Sequence, residues 1–149
     1  MFKKILVATD GSQLSKKAAK LGMDLVKKFD AELQIIYVID QRVFFFPHDI
    51  QVLTPENPYF SILEDLRSNA QSVLSKLSTE ARKKKISFES KVLEGSVVDV
   101  INKAAKDMKA ELLIVGAHGE TGAARGLLGS TAQALSTHSP CSLLIVRAK

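Results

Sequence analysis

The amino-acid sequence predicts an α/β domain: an open, five-stranded parallel sheet with helices on both faces. Two observations carry this prediction. Strand-like and helix-like patterns alternate from one end of the chain to the other, and the strand-like runs are almost continuously apolar, as strands covered on both faces must be. Parallel neighbours then need right-handed crossovers through the helices. A chain of 149 residues, 46% hydrophobic and 25% charged, has globular composition and suits one domain with one core.

Lys4–Thr9 (KILVAT) opens the sheet. Asp10-Gly11-Ser12 turns the chain, with Ser12 placed to cap the next helix. Leu14, Ala18, Leu21, Leu25 and Phe29 then form one apolar helical stripe. Leu33–Ile39 (LQIIYVI) is the second strand. Asp40–Phe60 holds three of the four prolines, which break any regular element there. Its Phe44-Phe45-Phe46-Pro47 block suits a lid, a partner surface or simple local packing. Leu63, Leu66, Ala70, Val73, Leu77 and Ala81 mark a second helix, ended by Arg82-Lys83-Lys84-Lys85, where cations suit the helix dipole. Ser87–Leu93 reads as the third strand, and Gly95-Ser96 caps a third helix striped by Val97, Ile101, Ala104 and Met108. Glu111–Val115 (ELLIV) is the fourth strand. A last helix over Ser130–Thr137 stops before Pro140, and Ser142–Val146 (SLLIV) completes the sheet.

Several function classes fall away. The formal charge of +5 is spread out, with Lys16, Lys17, Lys20, Lys27 and Lys28 on one helix, so nucleic acid is not the expected partner. A modestly basic surface does attract a polyanion. No apolar run approaches the ~20 residues that span a bilayer. The opening MFKKILVATDGS turns polar too soon for a signal peptide. Cys141 is the single cysteine and reads as core, while His48 and His138 lack metal-ligand spacing. The expected location is the cytoplasm.

In a sheet of this kind the ligand lies beyond the carboxyl ends of the strands, which nominates Asp10, Val38–Asp40 and Gly116 onward. The last region reads Gly116-Ala117-His118-Gly119, nine residues, then Gly129-Ser130-Thr131 at a helix start. Glycines allow positive φ and close approach to a ligand, and free amides at a helix N-terminus attract anions. No lysine lies between Gly116 and Thr131, so this is not a Walker loop, and the glycine spacing is not the Rossmann fingerprint. An ordinary βα turn also uses glycines, but five within fourteen residues exceed what one turn requires. His118 suits phosphate contact, acid–base work or plain solvation. Arg125 is the loop's one cation and suits either a phosphate or solvent; Glu120 suits water positioning or solvent.

The spacing Gly-x2-Gly-x9-Gly-Ser resembles the nucleotide motif of the universal stress protein family, in its ATP-binding branch. Ile5–Ser12 is similar to that family's first strand and turn, Tyr37–Asp40 to the end of its second strand, and Ser139–Val146 to its closing strand. The resemblance implies a universal stress protein domain over 1–149 with a Rossmann-like, adenine nucleotide alpha hydrolase-like sheet of order 3-2-1-4-5. It implies that Asp10 and the backbone at Val38 hold the adenosine, with Gly116, Gly119, Gly129, Ser130 and Thr131 along the ribose and phosphates. It also implies a homodimer through Ser142–Val146, which would cover an apolar edge. Ala117, where a hydroxyl residue is common, and Ser96, where proline is common, depart from the pattern.

Fast phosphoryl transfer needs cations on the γ-phosphate and an oriented nucleophile, and the loop supplies amides, two hydroxyls and one arginine. The expectation is therefore a site that holds ATP, with Mg2+ on its phosphates, and hydrolyses it slowly or not at all. Its function would be a nucleotide-dependent switch in a stress response, read by a regulatory protein partner. Two other readings stay open: a stress protein that works by protein contacts without nucleotide, and a weak ATPase or kinase.

Overall fold

The computed structural model describes residues 1–44, 56, 58–119 and 127–148, with the side chains of 43, 44, 58 and 59 left out. Its strands are β1 (Lys4–Thr9), β2 (Glu32–Asp40), β3 (Glu89–Gly95), β4 (Leu112–Gly116) and β5 (Ser142–Val146). All four pairings are parallel, and the order is β3-β2-β1-β4-β5, as expected. The helices are α1 (Gln13–Phe29), α2 (Pro58–Lys83), α3 (Val97–Met108) and α4 (Ser130–His138).

The expected single core is two. Successive side chains of a strand point to opposite faces. Ile5 and Val7 of β1 therefore join Ile35 of β2 and Ile114 of β4 under α1 and α2. Leu6, Ile36 and Leu113 take the other face, under Ile101 of α3 and Leu135 of α4. Ile5, Leu6 and Val7 are fully buried, which is why the strand reads as an unbroken apolar run.

Four expectations need correction. In α1 the buried line runs through Leu14, Ala18, Ala19, Gly22, Met23 and Val26, leaving Leu21, Leu25 and Phe29 half-buried at its edge. Small residues let α1 sit close on β1, where an added Cβ at Gly22 would meet Val7 Cγ2 at 2.7 Å. Secondly, β3 starts at Glu89, not Ser87, because pairing with β2 begins at Gln34↔Glu89. Ser87 and Phe88 carry no regular structure, and ahead of them the chain closes off α2: Ile86 N–H donates to the Ala81 carbonyl at 2.9 Å, and Lys85 takes a φ of 58°. Thirdly, the proline-rich stretch is not wholly irregular. Gln41–Phe44 forms a 3-10 turn, and Pro58 is the first residue of α2, where its missing N–H costs nothing. Fourthly, Ser96 occupies the N-cap of α3 without making a side-chain cap bond. Phe45, Phe46, Pro47 and His48 lie outside the described residues, as does the side chain of Phe44.

Candidate functional site

A cleft of about 620 Å³ opens at the carboxyl ends of β1, β2 and β4, where the sheet's winding reverses. Asp10, Val38, Gly116, His118, Gly119, Gly129, Ser130 and Thr131, all nominated from sequence, line it together. Arg125 and Glu120 lie outside the described residues.

One wall is the β1–α1 corner, held by its own side chains. Thr9 and Ser15, both buried, share a hydroxyl hydrogen bond of 2.8 Å. Ser15 Oγ accepts from Asp10 N–H at 3.3 Å, and Thr9 Oγ1 accepts from Gly11 N–H at 3.2 Å. Ser12 caps α1 as predicted, accepting from Ser15 N–H at 3.3 Å. Asp10 Oδ1 accepts from Ser12 N–H at 2.9 Å, which fixes the carboxylate at the cleft. Gly11 takes a φ of 83°, the left-handed conformation that glycine adopts freely.

The opposite wall is the glycine segment. Ala117 N–H donates to the Val146 carbonyl at 2.8 Å, and Gly129 N–H donates to the Ala117 carbonyl at 2.7 Å, so β4 and α4 are tied across the loop. Gly129 is the N-cap of α4, and no side chain among the described residues caps this helix. The sequence reading gave positive φ as one reason for these glycines; the structure gives close approach alone. Gly116, Gly119 and Gly129 are not among the positive-φ residues. A Cβ on Gly119 would instead collide with Asp10 Oδ2, and one on Gly129 would sit 3.0 Å from His118 Cα. Gly116 packs with equal tightness on Leu14 and Ser15 of α1.

The third wall comes from β2 and the elements packed beside it. Ile39, Leu66, Val97, Ile101 and Leu128 make this part of the lining apolar, and Asp40 and Arg42 stand with them. Sequence reasoning reached Ile39, Asp40 and Leu128 through the regions it nominated, but missed Arg42, Leu66, Val97 and Ile101 as site residues. Leu66 was placed only as a core position of α2, and Arg42 carried a local signal, two residues after an aspartate at a strand end, that went unused. Arg125 was read as the cation available to a phosphate; Arg42 is a second basic group on this cleft. It is paired, however. Its Nε and Nη2 donate to Asp40 Oδ2 at 2.8 and 2.5 Å, and its backbone N–H donates to Oδ1 at 2.9 Å. That guanidinium holds the Asp40 carboxyl below the usual aspartate range, against the opposing effect of burial.

Elsewhere, burial pushes the Cys141 thiol up, which suits the inert role expected of it. His138 sits exposed, with Nδ1 at 3.1 Å from the Ala134 carbonyl. Among the described residues, no three His, Cys, Asp or Glu side chains converge as a metal site, and no helix is long and apolar enough to cross a membrane.

The model of the universal stress protein family matches residues 1–147. The chain belongs to that family. A universal stress protein of Methanocaldococcus jannaschii, MJ0531, is 35% identical over 147 residues, covering 99% of this chain and 83% of the relative. The fold of this universal stress protein matches that of UspA from Lactobacillus plantarum, with a TM-score of 0.84, 21% identity and 97% of each chain covered. A universal stress protein solved in complex with cAMP matches with a TM-score of 0.73, 24% identity and 99% of each chain. An Arabidopsis thaliana family protein solved with AMP bound matches with a TM-score of 0.69 and 16% identity, over 99% of this chain and 92% of that one.

Proposed function

We propose that this universal stress protein binds ATP, with Mg2+ on the phosphates, and acts as a nucleotide-dependent regulatory switch with slow or no hydrolysis. The carrying observation is the start of α4, which has no side-chain cap and lines a cleft whose far side is apolar. Uncapped amides with the helix dipole behind them attract phosphate. The apolar lining by Val38, Ile39 and Ile101 suits a purine, and the Asp10 carboxylate suits a ribose hydroxyl or an amino donor. Adenine nucleotides held by two solved relatives support the same ligand class.

Slow chemistry follows from the charges. Among the described residues lining the cleft, the basic groups are His118 and the paired Arg42. That is a poor set for stabilising a γ-phosphoryl transition state. Steady-state turnover above ~1 per second by the pure protein would overturn this part of the reading. We place the protein in the cytoplasm as a homodimer. β5 lies at one end of the sheet, paired on one side to β4, and its apolar residues Leu143 to Val146 are only half-buried. A partner's strand would complete that edge.

Thermal-shift titrations with ATP, ADP, AMP and cAMP, each with and without Mg2+, test the reading. A ligand of the native state at a hundred times its Kd stabilises by about 2.7 kcal/mol. The expected result is a concentration-dependent shift, largest for ATP with Mg2+, that disappears in a Gly129→Val variant of unchanged circular dichroism. No shift with any of the four nucleotides would sink it.

A further inference from the structure

On the other side of the Asp10–Gly11 turn, a second concavity of about 420 Å³ runs between α1 and α2. Lys16, Lys17 and Lys20 of α1 and Lys76 of α2 line it, with Val73 and Leu77. The three α1 lysines belong to the basic helix that the nucleotide reading leaves without a role. Lys20 reaches Glu80, the one acid in the lining, at 3.8 Å between exposed groups. Lys16, Lys17 and Lys76 have no ion-pair partner among the described residues. By contrast Lys84, just past the end of α2, pairs with Asp24 of α1 at 2.5 Å, so charges can be matched across these two helices. Lys16 and Lys20 also stand one turn apart, a spacing at which like charges repel. The groove therefore gathers unpaired positive charge around the half-buried Val73, while Leu77 beneath it is buried in the core.

We infer that this groove docks an acidic, partly apolar segment of a partner protein, its carboxylates on the lysines and an apolar side chain on Val73. Charge complementarity sets the sign of the partner. Val73 separates it from a bare inorganic anion, which would leave that side chain unused. Among the described residues, the lining also holds no aromatic residue and no arginine, the groups that stack on bases or grip phosphate bidentately, so a nucleic acid fits it poorly. The inference does not depend on the nucleotide reading, and its test omits nucleotide.

The probe is a fluorescein-labelled peptide of repeating Glu-Glu-Leu, titrated with the full chain by fluorescence anisotropy at low salt. Saturable binding is expected, weakened roughly tenfold or more by Lys17→Glu with Lys76→Glu and weakened again by added salt. The neutral pair Lys17→Gln with Lys76→Gln should give an intermediate loss with an unchanged melting curve, which separates lost charge from lost fold. Lys103→Glu, on α3, should bind as wild type. Absence of binding, or binding indifferent to the charge reversals, overturns the proposal. So does equal binding of a Glu-Glu-Ser peptide, which would mean Val73 is unused. Displacement of the bound peptide by single-stranded DNA or tripolyphosphate at lower concentration than by unlabelled peptide would replace the acidic segment with a nucleic acid or a small anion.

Discussion

Two helices begin at the same cleft, and they begin differently. At α1, Ser12 caps the first turn, Asp10 Oδ1 takes the Ser12 N–H, and the Thr9–Ser15 hydroxyl pair locks the corner from below. At α4, glycine stands at the N-cap and, among the described residues, no side chain serves the first amides. One helix start is satisfied from within the chain, and the other is left for something else. A carboxylate already sits beside α1, so an anion has more reason to settle at α4 than at α1. The cleft is thereby polarised: donors of a ligand belong near Asp10, and its phosphates belong near Ser130 and Thr131.

The most severe way to break this contrast is Gly119→Val, whose Cβ would drive into Asp10 Oδ2 and disturb both corners at once. ATP affinity should fall a hundredfold or more, about 2.7 kcal/mol, and isothermal calorimetry at near wild-type affinity would refute the close approach as a binding element. Asp10 itself separates structure from binding. Asp10→Ala should lose about tenfold in ATP affinity and about 1 kcal/mol of stability, through the Ser12 amide left without its acceptor. Asp10→Asn keeps that acceptor, so stability should return while affinity does not, and chemical denaturation beside calorimetry tells the two apart. Ser12→Ala and Ser130→Ala form a crossed pair. The first should cost about 1 kcal/mol of stability with ATP affinity unchanged. The second should change stability by less than about 0.5 kcal/mol and weaken ATP severalfold. If both variants behave alike, the asymmetry between the helix starts has no functional content.

The smallest effect concerns Arg42. Asp40 has a lowered pKa in the folded state, so its contribution to stability is present above the unfolded value and is lost as pH falls through the folded value. Arg42→Ala should flatten that acidic limb of the stability–pH curve, removing the small contribution present at neutral pH and leaving stability at the most acidic pH unaltered. A denaturation series below pH 5 checks this, and an unchanged acidic limb would show that the ion pair is not maintained in solution.

Much of this was legible in the sequence because its physics is local. Apolar runs over Ile5–Val7 and Leu112–Val115 declared buried strands, and a serine before an apolar stripe declared the α1 cap. The strand-end rule, together with the resemblance, brought Asp10, Val38 and Gly129 to one cleft without any coordinates. The misreadings concern residues whose roles depend on distant partners. β3 was placed two residues early because its start is set by pairing with Gln34, not by its own alternation. Leu66 reads as helix core from its period, and only the packing of α2 brings it to the cleft. Gly119 reads as a flexible turn residue, whereas the pressure on it comes from Asp10, more than a hundred residues earlier. Sequence by itself determined the kinds of element, the layers and the family. Tertiary structure alone decided which helix start stays open and why the loop must be glycine, because those depend on contacts between residues far apart along the chain.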